Sequence, residues 1–372
     1  MLNDLDIYNS YFNKKIFIKL KKTINENNFI FGKSVKKLEL LLSKYTGSKY
    51  TVTVGSGTDA LFLSLKSLNL KRGDEVIIPS FSWLSVLEVI LLLNLKPVFI
   101  DTDVNSFNLD LNKIKKLLTK KTKVIISTSL FGRSIDLRYL KKVCIRNKII
   151  LIEDAAQNFG SKIGKFNACN IADITCTSFF PTKNLGCYGD GGAIFTNNKN
   201  INDKLIRLRN HGQKKYNHGE IAGMNSRLGS LQACILIEKL KDINNKKIKQ
   251  KKLYKNYLNF FKKKKIFGYP SERINKNNFN DMNSQFSILV KNRNLLIKLF
   301  KKYKIDYKIY YSKPLYKQFN IKKNIRLKNT EYICKRIISL PFNDLSKKRF
   351  NSVLTKLTKI ISLKKDVFFE KK

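Results

Sequence analysis

From Thr51 onward, short β-branched runs alternate with stretches whose apolar residues recur every three or four positions. The runs predict strands over Tyr50–Val54, Glu75–Pro79, Pro97–Asp101, Lys123–Ser129, Ile149–Glu153, Ile174–Phe179 and Ala193–Thr196. The amphipathic stretches predict helices over Asp59–Leu68, Leu84–Leu93, Leu109–Leu118 and Asp136–Arg146. Breakers such as Lys71-Arg72-Gly73-Asp74 and Lys96-Pro97 fall where the period changes. Repeated strand–helix–strand units argue for an α/β fold with a mainly parallel sheet covered on both faces. In such sheets ligands sit beyond the carboxyl ends of the strands, so chemistry is expected there.

After Leu236 the pattern changes. A Lys-rich stretch from Glu238 to about Lys265 predicts a long connecting helix. Strands are expected over Gln285–Val290 and Asp306–Tyr311, separated by a helix over Arg293–Lys302. Amphipathic stretches follow around Glu331–Ile338 and Lys347–Ile361. The chain is therefore expected to divide into a large domain, 1–245, and a smaller C-terminal α/β domain, 246–372.

Composition changes this picture little. Hydrophobic residues make up 43 %, an ordinary globular share. The net charge of +47 invites a nucleic-acid reading. The Lys excess is spread along the whole chain, however, with abundant Asn and Ile and no recognisable nucleic-acid-binding motif, so a solvated surface and AT-rich coding are expected instead. Tight binding of unrelated DNA at moderate salt would oppose that expectation. A basic mouth would also draw in an anionic ligand. The six cysteines form no C-x-x-C pair, and MLNDLDIYNSYF lacks a basic-then-apolar leader pattern. Free thiols and a cytoplasmic location are expected. The longest apolar stretch, Val86 to Ile100, is interrupted by Glu88, Asn94 and Lys96, which argues against membrane insertion. With only two histidines, a histidine-rich metal site is not expected.

Four strand ends carry unusual polar clusters. Gly55-Ser56-Gly57-Thr58-Asp59-Ala60 is either a plain helix start or a turn whose N–H groups meet a phosphate. Glu153-Asp154-Ala155-Ala156-Gln157 ends an apolar strand with two acids. Asp154 there is either a helix cap or a carboxylate paired with a cofactor cation such as a pyridinium nitrogen. Ser178 to Gly192 sets a single lysine, Lys183, among aromatics and glycines. Desolvation of such a lysine lowers its pKa toward the range useful for bonding to carbonyl carbon. Ser80-Phe81-Ser82-Trp83 holds the only Trp, which either packs in a core or stacks on a flat ring.

These clusters, in their order and spacing, resemble the DegT/DnrJ/EryC1/StrS sugar aminotransferases from about residue 5 to residue 360. The matching runs are Gly57-Thr58-Asp59-Ala60-Leu61, Glu153–Gln157, Pro181–Gly192, His211-Gly212-Gln213, Asn225-Ser226-Arg227-Leu228 and Leu231-Gln232-Ala233. Within that family, Cys176–Asn197 is most similar to enzymes that aminate UDP-2-acetamido-2-deoxy-3-oxo-glucuronate for surface polysaccharides. The resemblance implies a pyridoxal-phosphate-dependent transferase fold of type I, aspartate aminotransferase-like. It implies pyridoxal 5'-phosphate (PLP) as cofactor, glutamate as amino donor, a nucleotide-linked keto-sugar as acceptor, and a homodimer with shared active sites.

Residue by residue, the resemblance implies that Lys183 carries the cofactor and moves the proton. Asp154 would pair with the ring nitrogen, Gln157 with the phenolic oxygen, and Trp83 would stack on the ring. Gly57, Thr58 and Ser178 would hold the phosphate, joined by Asn225 of the neighbouring subunit. Arg227 is either a substrate contact across the interface or an interface ion pair. Tyr310 and Tyr311 are expected at the substrate; family members commonly carry His where Tyr310 stands, which leaves sugar specificity open. Two alternatives remain: an aminotransferase for a dTDP-linked 3- or 4-keto-6-deoxy sugar, and a non-catalytic basic binding or regulatory protein on the same fold.

Overall fold

The computed structural model describes residues 10–269, 279–319, 321, 325–342 and 345–370. Two helices, α1 (Ser10–Asn25) and α2 (Lys33–Thr46), precede β1 (Tyr50–Val54) and α3 (Gly57–Ser67). Next come β2 (Glu75–Pro79), α4 (Ser85–Leu92), β3 (Lys96–Ile100), β4 (Thr122–Thr128), α5 (Leu137–Arg146), β5 (Ile150–Asp154), β6 (Ile174–Ser178) and β7 (Gly192–Thr196). These seven strands form one sheet in the order β1-β7-β6-β5-β4-β2-β3. Neighbours are parallel except where β7 runs antiparallel to β1 and β6.

Alternation along the strands puts apolar residues on both faces, so both faces must be covered. Val76, Ile78, Val124, Ile126 and Ile152 pack with Leu63, Val86 and Ile90 of α3 and α4. Their neighbours Ile77, Ile125 and Leu151 point the other way, onto Leu137, Leu140 and Cys144 of α5. Local capping supports the helices that follow strand ends: the Ser56 hydroxyl accepts the Asp59 N–H at 3.0 Å.

The register brings distant parts of the sequence to one edge. Val54 lies across from Gly192, Gly192 from Ser178, and Asp154 from Thr128. The Gly55–Thr58 turn, Asp154 and the loop after Ser178 therefore share the carboxyl edge of the sheet, the edge where the pattern placed the chemistry.

The remaining elements are α6 (Lys199–Leu208), α7 (Ser230–Leu240), α8 (Ile243–Lys263), β8 (Phe286–Leu289), α9 (Arg293–Lys302), α10 (Lys328–Arg336), β9 (Ile337–Leu340) and α11 (Lys347–Leu363). A second core gathers Tyr257, Phe261, Phe286, Phe300, Phe350 and Leu357 around the antiparallel β8–β9 pair. Its centre is aromatic: the Tyr257 and Phe286 rings stack with centroids 4.7 Å apart. The boundary expected after residue 245 falls inside α8, whose Ile243 belongs to the core beside the sheet and whose Tyr254, Tyr257 and Phe261 belong to the second core. Later segments return to the sheet: Leu315 and Tyr316 join the α3–α4 core, and the Thr330 hydroxyl donates to Asp101 at 2.9 Å.

Several expectations need correction. The single helix expected from Glu238 is two, broken at Lys241-Asp242, because the chain must turn from the first core toward the second. The helix over Leu109–Leu118 shrinks to a 3-10 turn and one α-turn, Ile114–Leu117. The strand over Asp306–Tyr311 is a single bridge, Lys308 to Ser339. Its partner is β9, whose β-branched Ile337-Ile338 the periodicity had assigned to a helical tail. Helices α1, α2 and α6, and the part of α7 before Glu238, lay outside the expected set.

Candidate active site

The loop after β6 turns back tightly on itself. The Phe179 N–H donates to Gly191 O at 2.7 Å, and the Lys183 N–H closes a turn onto Phe180 O at 2.9 Å. Gly186 has to be glycine: a Cβ there would lie 2.4 Å from Pro181 O. Helix α7 braces the loop from behind. The Lys239 Nζ donates to Gly186 O at 2.7 Å, and the Gln232 Oε1 accepts the Tyr188 N–H at 2.9 Å. The Asn184 side chain donates to Gln157 O at 2.9 Å, tying this loop to the one after β5. That second loop is braced in the same way by α8, whose Lys247 donates to Gly160 O at 2.8 Å.

Between these loops lies a cleft lined by Ala156, Gln157, Thr182, Lys183, Tyr310 and Ser284, among others. Burial pushes the Lys183 amine below its ordinary range, an effect the nearby Asp154 carboxylate partly opposes. Burial raises Asp154 in turn, while the Ala156 N–H, Lys183 and Thr128 hold it down. Asp154 Oδ1 accepts the Ala156 N–H at 3.0 Å and closes a turn, and no helix follows β5 directly, so the cap alternative gives way to the buried carboxylate. Its neighbour Glu153 points to the other face of the sheet, where burial pushes it up to about 7 despite hydrogen bonds from Ser129 and Asn158, both 3.0 Å.

The Gln157 amide is held on both sides: Oε1 accepts the Phe131 N–H at 2.6 Å and Nε2 donates to the Tyr311 hydroxyl at 3.4 Å. Tyr311 lies 6.0 Å, ring to ring, from Trp83. Trp83 is 54 % exposed, which rules out the core alternative and leaves its ring free for a ligand. At the neighbouring strand ends Gly57 lies against Ser178, where a Cβ would come within 2.7 Å of the serine Cβ. Gly57 and Thr58 thus open α3 with N–H groups at the carboxyl edge of the sheet.

Lys183, Asp154, Gln157, Trp83, Tyr310 and Tyr311 are therefore brought together, with Gly57, Thr58 and Ser178 beside them. Neither Asn225 nor Arg227 lines this cleft. Arg227 donates to the Asn210 side chain at 3.1 Å and sits over the Phe31 ring, and Asn225 is exposed. The loop carrying them is pinned to the Gly55 turn by Ser226, whose hydroxyl accepts the Gly55 N–H at 2.9 Å and donates to Asp59 at 2.6 Å. Sequence reasoning missed Ser284, Gln285 and Ser339 on the far wall of the cleft. The polar pair Ser284-Gln285 directly before an apolar strand was the available signal.

A profile of the DegT/DnrJ/EryC1/StrS aminotransferase family matches residues 11–358. The chain is 35 % identical over 304 residues to UDP-2-acetamido-2-deoxy-3-oxo-D-glucuronate aminotransferase of Pseudomonas aeruginosa, spanning 82 % of this chain and 84 % of that one. It is 36 % identical over 222 residues to UDP-N-acetyl-3-dehydro-alpha-D-glucosamine 3-aminotransferase of Acidithiobacillus ferrooxidans, a stretch covering 60 % of each. The crystal structure of NtdA from Bacillus subtilis with bound cofactor PMP superposes with a TM-score of 0.87 at 27 % identity, over 95 % of this chain and 83 % of that one.

Proposed function

The chain belongs to the DegT/DnrJ/EryC1/StrS aminotransferase family, as a PLP-dependent sugar aminotransferase, and from that premise we propose that it aminates UDP-2-acetamido-2-deoxy-3-oxo-glucuronate with glutamate as donor. The overall change is balanced: glutamate and the 3-keto sugar become 2-oxoglutarate and the 3-amino sugar. The observation that carries the reading is the Lys183 amine, which lines one cleft with Gln157 and lies close enough to the buried Asp154 carboxylate for the two charges to interact. The uronate acceptor is supported by the similarity to the Pseudomonas enzyme, and a UDP-linked 3-keto sugar more broadly by the Acidithiobacillus one.

The donor set fits PLP. Gly57 and Thr58 at a helix start, with Ser178 alongside, would hold the phosphate. Asp154 would pair with the ring nitrogen, Gln157 would meet the phenolic oxygen, and Trp83 would cover a ring face. When bound, the cofactor supplies an aldehyde that holds the amino group in transit and a ring that takes up electrons as a proton leaves carbon. Lys183 does the protein's part of the chemistry. Burial lowers the cost of removing the proton from its amine, which suits that amine to take a proton from the donor carbon and return one elsewhere. Asp154 would be held in its charged form by the cation of the ring nitrogen, and the closed loop around Gly186 keeps the amine fixed in the cleft.

In this reading the active form is a homodimer. The exposure of Asn225 and the absence of Asn225 and Arg227 from the lining of their own subunit's cleft support a role across an interface. So do the largely exposed Phe17, Ile18 and Leu40 on α1 and α2. Residues 246–372 would form the smaller domain. Six free, buried cysteines support a reducing cytoplasm, and no helix among the described residues is long and apolar enough to cross a membrane. Purified protein should be yellow and lose that colour on addition of glutamate. A panel of UDP- and dTDP-linked keto-sugars then tests the acceptor; turnover confined to dTDP-linked 6-deoxy sugars would replace the uronate.

A further inference from the structure

The wall of the cleft opposite Lys183 carries polar atoms that the protein itself does not use. Ser284 Oγ and Gln285 Oε1 are both buried and have no hydrogen-bond partner, yet both residues line the cavity that holds Lys183, Gln157 and Tyr310. Each such atom costs about 1–3 kcal/mol when left unmatched, so a matching ligand is favoured there. The backbone beneath them is fixed. The Ser284 N–H donates to Phe131 O at 2.9 Å and the Asn283 N–H to Gly132 O at 3.0 Å. Gly132 (φ +72°) packs so closely that a Cβ would lie 2.5 Å from the Ser284 nitrogen. The Phe131 N–H in turn is held by Gln157, so the pair is set in register with the Lys183 side of the cleft.

We propose that Ser284 and Gln285 recognise hydroxyl or amide N–H groups of the sugar acceptor rather than the carboxylates of the amino donor. The inference rests on the aminotransferase reading above. Its chemistry follows from the donor–acceptor inventory. The Gln285 Oε1 accepts and needs an O–H or N–H opposite it, which a sugar hydroxyl or an acetamido group supplies and a carboxylate does not. A hydroxyl such as Ser284 both donates and accepts, which suits a sugar hydroxyl equally well. The cavity lining contains no arginine or histidine, and Lys183 is its one cationic side chain among the described residues. Ser339, on the same wall, is already engaged with Ser287 at 2.7 Å, which leaves the recognition to the unpaired two.

The test separates the two half-reactions. Ser284→Ala and Gln285→Leu should each raise the KM for the keto-sugar, and the Kd for UDP-N-acetylglucosamine by calorimetry, roughly 5- to 50-fold. The rate at which glutamate bleaches the colour should stay within about twofold. Gln285→Glu, which keeps an accepting oxygen, should bind UDP-N-acetylglucosamine better than Gln285→Leu does. Slower bleaching with unchanged sugar binding, or no change in either, overturns the proposal. If wild-type protein were not bleached by glutamate, the aminotransferase reading would fail, and the calorimetric comparison would still decide the role of the pair.

Discussion

The two walls of the cleft are built on opposite plans. On the Lys183 side, the loops are tied down from within: Lys239 on Gly186 O, Gln232 on the Tyr188 N–H, Asn184 on Gln157 O, Lys247 on Gly160 O. On the Ser284 side two buried oxygens have nothing to bond. A wall that must hold a reactive amine in one place gains from internal hydrogen bonds, since small displacements at a reacting centre cost large factors in rate. A wall that must accept an exchanging ligand gains from leaving its polar atoms for that ligand. The contrast marks which side reads chemistry and which reads substrate.

The sharpest way to break this comparison is at its centre. Lys183→Ala should abolish the absorption band of the purified protein and lower turnover at least ~10³-fold, because the group that moves the proton is gone. Thermal unfolding should shift by only a few degrees. Retained turnover in this variant would remove Lys183, and with it the contrast.

A smaller effect tests how the braced side tolerates buried charge. Glu153 in the folded chain sits at about 7, above its ordinary 4.5. A raised carboxyl pKa gives a contribution that is complete below about pH 4.5 and is lost as pH rises through about 7. Wild type should therefore lose stability between pH 5 and pH 8 relative to Glu153→Gln, by up to ~3 kcal/mol. The glutamine keeps an oxygen for Ser129 and Asn158. Urea midpoints at the two pH values measure it; an equal difference at both would mean that Glu153 titrates as an ordinary acid.

The smallest effect concerns the brace itself. Lys239→Met removes the bond to Gly186 O and should cost about 1–2 kcal/mol of stability. We expect kcat to fall several-fold with the KM for the sugar unchanged, since the far wall is untouched. A rise in sugar KM with unaltered kcat would show that the two walls are not separable in this way.

Much of the site could be read from residue order. The strand ends at Ser56-Gly57-Thr58, Glu153-Asp154 and Ser178 stood out because polar groups ended apolar runs, and the strand predictions for the sheet fall within a residue or so of the structure. The C-terminal part was harder. Ile337-Ile338 could end a helix or form a strand, and only pairing with Phe286–Leu289 decides it. Ser284 and Gln285 showed only as a polar pair before an apolar strand. Their importance lies in lacking partners, a property of the packed interior that local sequence does not encode.

The chain by itself determined the alternating units, hence a parallel sheet with chemistry at its carboxyl edge, because periodicity dictates which faces are buried. It also singled out Lys183 among very many lysines by its neighbours. Tertiary structure alone decided that Asp154 faces Lys183 while Glu153 faces away, since adjacent strand residues take opposite faces and only the register says which face is which. It alone placed Trp83 at the surface of the cleft, set Asn225 and Arg227 apart from it, and braced Lys183 from a helix about fifty residues downstream. The physical reason is common to all three: long-range hydrogen bonds and burial depend on which segments fold together, and that is settled by the whole chain at once.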